Sequence, residues 1–256
     1  MLVEVAEEAA RAGAAVLVPR FGRERALAAK SSPTDLVSEA DLASERAIRE
    51  VLAARRPDDG VLGEEGTGDV PGTTGLRWVV DPLDGTIDFL YGIPQWCVSV
   101  AVEDDEGAVA GVVFDPLRDE CFAAARGAGA TLNGRPLPAG RAADPPPLAQ
   151  ALVATGFGYD SRVREAQGAR VAALLPQVRD IRRAGSAALD LCWTALGRHD
   201  VYYEWGVQRW DHAAAGLVCR EAGLEVTALA GDDVLPPGLA AGPQPLLDAV
   251  LARVAG

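Results

Sequence analysis

Trp78-Val79-Val80-Asp81-Pro82-Leu83-Asp84-Gly85-Thr86-Ile87-Asp88-Phe89 is the stretch whose reading decides the fold of this 256-residue chain. An apolar run ending in an acid reads as a buried strand that closes at Asp81, because Pro82 has no N–H to give to a ladder. Asp-Pro-Leu-Asp-Gly-Thr then forces a turn and opens a helix. Gly85 allows a backbone conformation, or an approach by ligand, that a Cβ would obstruct. Asp81 and Asp84 therefore converge at one strand end, where two carboxylates stay ionised together only if a cation lies between them. Hard oxygen donors, with a turn carbonyl such as that of Leu83, suit magnesium or manganese better than zinc. The amides of Gly85 and Thr86 at the helix start offer donors to an anionic oxygen. The competing reading is an ordinary surface turn, since Asp, Pro and Gly are the commonest turn formers.

The rest of the chain weighs against that reading. Trp210-Asp211-His212-Ala213-Ala214-Ala215-Gly216 presents a further acid at a helix start, and Asp41 and Glu64 lie beside turns or helix starts upstream. Asp41 and Asp211 taken singly read as helix caps, and Glu64-Glu65 as solvated loop charge.

Net charge is −13 and the sequence pI about 4.6, which argues against nucleic acid or an anionic membrane surface as the main partner. A small phosphorylated substrate is not excluded, because surface charge is screened beyond about 8 Å and bound divalent ions reverse the local sign. A hydrophobic fraction of 49% with a mean hydropathy of +0.08 fits a soluble globular protein with a sizeable core. The first residues are acidic and the apolar stretch from Ala12 to Val18 is short, so neither a signal peptide nor a membrane span is expected. Cys97, Cys121, Cys192 and Cys219 are widely spaced without a CxxC pair, which disfavours a zinc site or disulfide frame and points to a reducing cytoplasm. Lys30 is the only lysine among 24 basic residues and so draws attention.

Apolar steps of three and four from Val3 to Leu17 predict a first helix. Ser38 and Asp41 form an S-x-x-D cap before a helix over Leu42 to Ala54, and Pro57 to Gly60 ends it. Val61 to Glu64 is a strand entering a glycine-rich loop. Val98–Val102 and Val109–Phe114 pair as an antiparallel hairpin, and Asn133-Gly134 marks another. The Pro-rich stretch at residues 144–150 is the candidate lobe boundary within a single domain spanning residues 1–256. Further on, a strand from Leu152, helices over 162–175 and 184–196, a strand over 201–205 and a helix over 213–222 complete an irregular alternation, so a layered α+β architecture is expected.

The blocks Lys30-Ser-Ser-Pro-Thr-Asp35-Leu-Val-Ser-Glu-Ala-Asp41, Gly63-Glu64-Glu65, Trp78 to Thr86, Tyr203-Glu204 and Trp210-Asp211 resemble, in this order, the inositol monophosphatase family of magnesium-dependent, lithium-sensitive phosphatases. The resemblance covers most of the chain. It implies an αβαβα sandwich of the inositol monophosphatase and fructose-1,6-bisphosphatase type, a homodimer, and a small phosphorylated polyol or sugar as substrate. It also implies that Glu64, Asp81 and the Leu83 carbonyl hold one magnesium, that Asp81, Asp84 and Asp211 hold a second, and that a third, weaker ion lies near Glu64 and Asp41. Manganese is an alternative ion. Thr86, paired with Asp41, would position or deprotonate the attacking water, with Glu64 also in the catalytic set. Lys30, Gly85 and Thr86 would face phosphate, and Gly185, Ala187 and Glu204 the substrate hydroxyls.

Asp88 stands where the motif usually has Asn, and His212 where a small or apolar residue is more usual; His199 and His212 read as structural rather than as ligands. The motif handles phosphate rather than the alcohol, so myo-inositol monophosphate leads, with sugar bisphosphates, histidinol phosphate and 3′-phosphoadenosine 5′-phosphate as rivals. A regulatory binding protein with a vestigial site and a structural calcium site rank lower.

Overall fold

The computed structural model describes residues 1–23, 26–29, 36–65, 69–138 and 143–254. In chain order the elements are α1 (Leu2–Leu17), β1 (Ala26–Ala29), β2 (Leu36–Ser38), α2 (Glu39–Arg55), β3 (Gly60–Gly63), β4 (Asp69–Val70), β5 (Arg77–Asp84), α3 (Thr86–Tyr91), β6 (Cys97–Asp104), β7 (Gly107–Asp115), β8 (Glu120–Ala125), β9 (Gly129–Leu132) and β10 (Arg135–Pro136). There follow β11 (Leu152–Thr155), α4 (Ser161–Leu174), β12 (Asp180–Arg182), α5 (Ala187–Leu196), β13 (Val201–Trp205), α6 (Arg209–Glu221), β14 (Glu225–Leu229), β15 (Gly238–Gly242) and α7 (Gln244–Val254).

The period-two alternation of β5 divides its side chains between two cores. Trp78 and Val80 pack with Val98, Val100 and Val102 of β6 against α1 and α2, whose buried stripe includes Val5, Ala9, Leu17, Ile48 and Leu52. Val79 faces the other way, into a core formed with α5 and α6. β5 and β6 belong to an eight-stranded sheet of order β10-β9-β8-β7-β6-β5-β3-β4, antiparallel except where β3 runs parallel to β5.

The same α5/α6 core takes Tyr202 and Ala241 from a second sheet of order β12-β11-β13-β15-β14. The alternate residues of β13, Val201, Tyr203 and Trp205, face Leu174 of α4 and Leu246, Leu247 and Val250 of α7. The layers therefore run α1/α2, sheet, α5/α6, sheet, α4/α7, which is the αβαβα sandwich that the family resemblance implies. The strands of the first sheet end at Pro136 and those of the second begin at Leu152. Among the described residues no helix is long and apolar enough to cross a membrane.

Three local expectations are corrected. β5 does not stop at Asp81 but runs to Asp84. The helix bearing Asp211 starts at Arg209, with Gln208 as N-cap, so Asp211 caps it from the third helical position, accepting from the Gln208 amide, rather than from ahead of the helix. α2 begins at Glu39 rather than Leu42, while the expected S-x-x-D cap is present, with Ser38 as N-cap and Asp41 completing the capping box.

Candidate active site

The site forms where β3 and β5 end side by side. Their parallel register pairs Gly63 with Val80, and the Glu64 amide donates to the Val80 carbonyl at 3.2 Å, so Glu64 emerges beside Asp81. Asp81 and Asp84 are three residues apart and on a regular strand would face opposite sides of the sheet. On β6, however, their partners Ser99 and Cys97 are two apart, so β5 carries one extra residue, a bulge. The bulge turns both carboxylates to the α5/α6 side, and it tolerates Pro82 because a bulged residue owes no ladder hydrogen bond. Gly85 follows in the left-handed conformation (φ +97°), which starts α3 at Thr86.

Three carboxylates each have an oxygen fixed by backbone amides. Asp81 Oδ1 accepts from the Leu83 amide (2.9 Å), and Asp211 Oδ2 from the Gln208 amide (2.6 Å). Asp84 Oδ2 accepts from Ser186 Oγ (2.6 Å) and the Ala188 amide (2.7 Å) at the N-terminus of α5, where the helix dipole favours an anion. Thr86 Oγ1 lies 3.1 Å from Asp41 Oδ1 and 3.0 Å from the Leu83 carbonyl, two acceptors for its single hydrogen. Asp41 Oδ2 in turn accepts from the Ser38 amide and hydroxyl at 2.8 and 2.6 Å.

Glu64, Asp81, Leu83, Asp84, Gly85, Thr86, Gly185, Ala187, Glu204 and Asp211 line one cavity of about 460 Å³. Burial holds the Asp81 carboxyl well above the usual range, and the charges of Glu64, Asp84 and Asp211 push it further. Asp211 is raised well above its ordinary value by burial and then by Asp84 and Glu64. Burial raises Asp84 to about 6 against the opposing pull of Ser186 and Ala188. On the other wall burial raises Glu204 to about 7, although the Tyr202 hydroxyl donates to it at 2.9 Å. Asp190, close by, is held well above the carboxylate range by burial and by Glu204.

Among the described residues no group of three or more His, Cys, Asp or Glu side chains closes tightly enough to hold an ion as it stands. The carboxylates ring the cavity, and like charges buried together resist closer approach. Their chemistry nevertheless fits a hard divalent cation: oxygen donors only, a backbone carbonyl at Leu83, and a surplus of negative charge that a cation would relieve.

Most of the residues singled out in the sequence thus share this cavity or, like Asp41, bond directly to its wall. Lys30 and Asp35 lie outside the described residues. Ser186, between the two expected contacts Gly185 and Ala187, and Asp190 were not singled out, although Ser after Gly and before an apolar run is a readable cap signal. Asp88 is buried at 6% exposure, its Oδ2 has no hydrogen-bond partner, and burial raises it to about 6 against the opposing charge of Arg183. It packs under Gly185, where a methyl group would lie 2.1 Å from Asp88 Oδ2. Burial lowers both His199 and His212 to about 4, as befits neutral packed side chains.

The chain belongs to the inositol monophosphatase family, whose model matches residues 1–255. It is 47% identical over 242 residues to the inositol-1-monophosphatase of Mycobacterium bovis, covering 88% of this chain and 83% of that protein. It is 43% identical over 233 residues to the Nus factor SuhB of Xylella fastidiosa, covering 90% and 83%. Among solved structures, the extragenic suppressor protein suhB of Bartonella henselae superposes with a TM-score of 0.88 at 35% identity, covering 99% of this chain and 98% of that one.

Proposed function

We propose that this chain hydrolyses a small phosphate monoester with the help of divalent cations, and that its preferred substrate class is myo-inositol monophosphate. The observation that carries the reading is the convergence of Glu64, Asp81, Asp84 and Asp211 on one cavity beside the Thr86–Asp41 hydrogen bond. Magnesium, or manganese in its place, held by Glu64, Asp81, the Leu83 carbonyl, Asp84 and Asp211, would supply Lewis acidity and lower the pKa of water.

The protein's own groups do the rest. Because Thr86 Oγ1 gives its single hydrogen to Asp41 or to the Leu83 carbonyl, its lone pairs remain to accept a hydrogen bond from the attacking water. That orients the water, and Asp41 is the proton acceptor behind the hydroxyl. The amides of Gly85 and Thr86, at the start of α3, are donors for the phosphoryl oxygens. Glu204 accepts from substrate hydroxyls, and Gly185 and Ala187 bring backbone close to them, which favours a polyol. Lys30 is assigned to the phosphate side by its place in the motif alone.

Sugar bisphosphates, histidinol phosphate and 3′-phosphoadenosine 5′-phosphate are the competing substrates. A panel of these with inositol phosphates, compared by kcat/KM with magnesium present, decides among them. Asp84→Asn should abolish magnesium-dependent release, and normal release by that variant sinks the mechanism. We assign the enzyme to the cytoplasm, expect inhibition by lithium, and expect a homodimer, which light scattering tests.

A second reading is favoured by names: three relatives at 38–43% identity are called Nus factor SuhB. A role of that kind would survive Asp84→Asn, whereas phosphatase activity would not.

A further inference from the structure

Glu45 is a carboxylate that the proposed chemistry does not use. It lies on α2 one turn beyond Asp41 and is 2% exposed. Its Oε2 accepts from the Glu65 amide at 2.8 Å and its Oε1 from Arg49 Nε at 2.7 Å. It also fills the space over Gly63, where a methyl group would lie 2.7 Å from both Glu45 Cδ and Oε1. Glycine at 63 is thus what lets this carboxylate reach the strand end.

The segment it grips contains Glu64. Glu64's own amide is held by β5 through Val80, and the next amide is held by α2 through Glu45. The backbone of Glu64 is therefore clamped from two layers. Other residues of the same α2 face do comparable work: Asp41 accepts from Thr86, and Ser44 donates to the Pro82 carbonyl at 2.9 Å. Positions 41, 44 and 45 follow the i, i+3, i+4 spacing of one helix face, so α2 holds both the β3 end and the β5 bulge. Burying an ionised carboxylate is unfavourable unless it is paired and hydrogen-bonded. A loop amide at a surface needs no such partner, because water would serve it. Fixing the direction in which Glu64 leaves the strand does need one.

We propose that Glu45 is a positioning residue which, seated over Gly63, orients Glu64 and thereby sets the affinity of the site for divalent cations. This rests on Glu64 being a cation ligand, as inferred above. Removing such an outer partner lowers metal affinity about 10- to 100-fold.

The test is direct Mn2+ binding to the full chain, read by the electron paramagnetic resonance of free Mn2+, alongside the magnesium dependence of phosphate release. Glu45→Ala should weaken Mn2+ binding about tenfold and raise the magnesium needed for half-maximal rate by a like factor, with kcat at saturating magnesium much less changed. Glu45→Gln, which keeps an acceptor for the Glu65 amide, should recover most of the affinity; a purely electrostatic effect of the charge would leave it as weak as Glu45→Ala. Gly63→Ala displaces the same carboxylate from the other side and should weaken binding similarly, and it serves if Glu45→Ala does not fold. The double variant should be no worse than Glu45→Ala alone. Wild-type protein that takes up no Mn2+ overturns the cation reading and the proposal with it. Wild type that binds Mn2+, with folded Glu45→Ala and Gly63→Ala binding it as tightly, overturns the proposal alone.

Discussion

Thr86 and Asp88 are two residues apart in α3 and have opposite hydrogen-bonding fortunes. Thr86's hydroxyl is bonded to Asp41, and Asp41 keeps two bonds to Ser38 if that hydroxyl is lost. Thr86→Ala should therefore leave the melting temperature nearly unchanged while lowering kcat by about 10²- to 10⁴-fold, the usual worth of a positioned proton-transfer group. Turnover close to wild type at saturating magnesium would remove Thr86 from the mechanism. Asp88 has a buried oxygen with no partner and a carboxyl raised to about 6, mainly by burial. A folded-state value above the unfolded one means the native state binds the extra proton, so stability falls as pH rises through about 6. Asp88→Asn removes that charge without changing shape. Stability should rise by about 1 kcal/mol above this pH, discounted for Arg183 and solvent, and by less below it. Denaturant titrations on either side of pH 6 give the comparison, and an equal effect at both would refute the assignment.

At the scale of elements, helix N-termini build the site: α3 brings Thr86, α2 brings Asp41, α6 brings Asp211, and α5 grips Asp84. The hinge of this arrangement is Ser186, which caps α5 by accepting from the Leu189 amide (3.3 Å) and donates to Asp84. Ser186→Ala should lower stability by about 1 kcal/mol through the lost cap and also raise the magnesium requirement for turnover. Thermal unfolding with and without magnesium separates the two effects. A change in melting temperature with an unaltered magnesium requirement would leave Ser186 a cap only. How much of this was legible differs residue by residue. The acids and their helix-start settings could be read because Asp-Pro-x-Asp-Gly-Thr, S-x-x-D and Trp-Asp are local signals. The bulge could not, because it depends on which β6 residues face β5. Ser186 is legible as a helix cap but not as a partner of Asp84, which is 102 residues away and connected to it by no spacing in the sequence.

For the whole molecule, periodicity marked most of the elements as far as α6 and failed beyond it, while the order of the layers followed from the family resemblance. β14, β15 and α7 had no sequence expectation. β15 is Gly-Leu-Ala-Ala-Gly, small residues that lack the β-branched signature of a strand, yet it sits between β13 and β14 because its neighbours supply the bulk. Packing of this kind also governs how the molecule responds to acid. His199, between α5 and β13, is 5% exposed, and its ring meets Trp193 edge-on at 5.8 Å. Burial lowers it to about 4; Arg182 and Arg198 push in the same direction, and the Asp190 backbone and the Asp200 charge oppose them. Its folded value lies below the unfolded value of 6.5, so the unfolded chain binds the proton first as pH falls. His199's contribution is then fully present above 6.5 and is lost progressively down to about 4. Over that window the loss should be on the order of 1–3 kcal/mol. The raised carboxylates of the cavity shift stability in the opposite sense, so the comparison must be made between wild type and His199→Phe, which keeps the aromatic contact and cannot titrate. The variant should lose less stability than wild type as pH falls from 6.5 toward 4, measured by urea unfolding. Parallel curves would mean that His199 is protonated in the native state and that its packing against Trp193 does not exclude the charge.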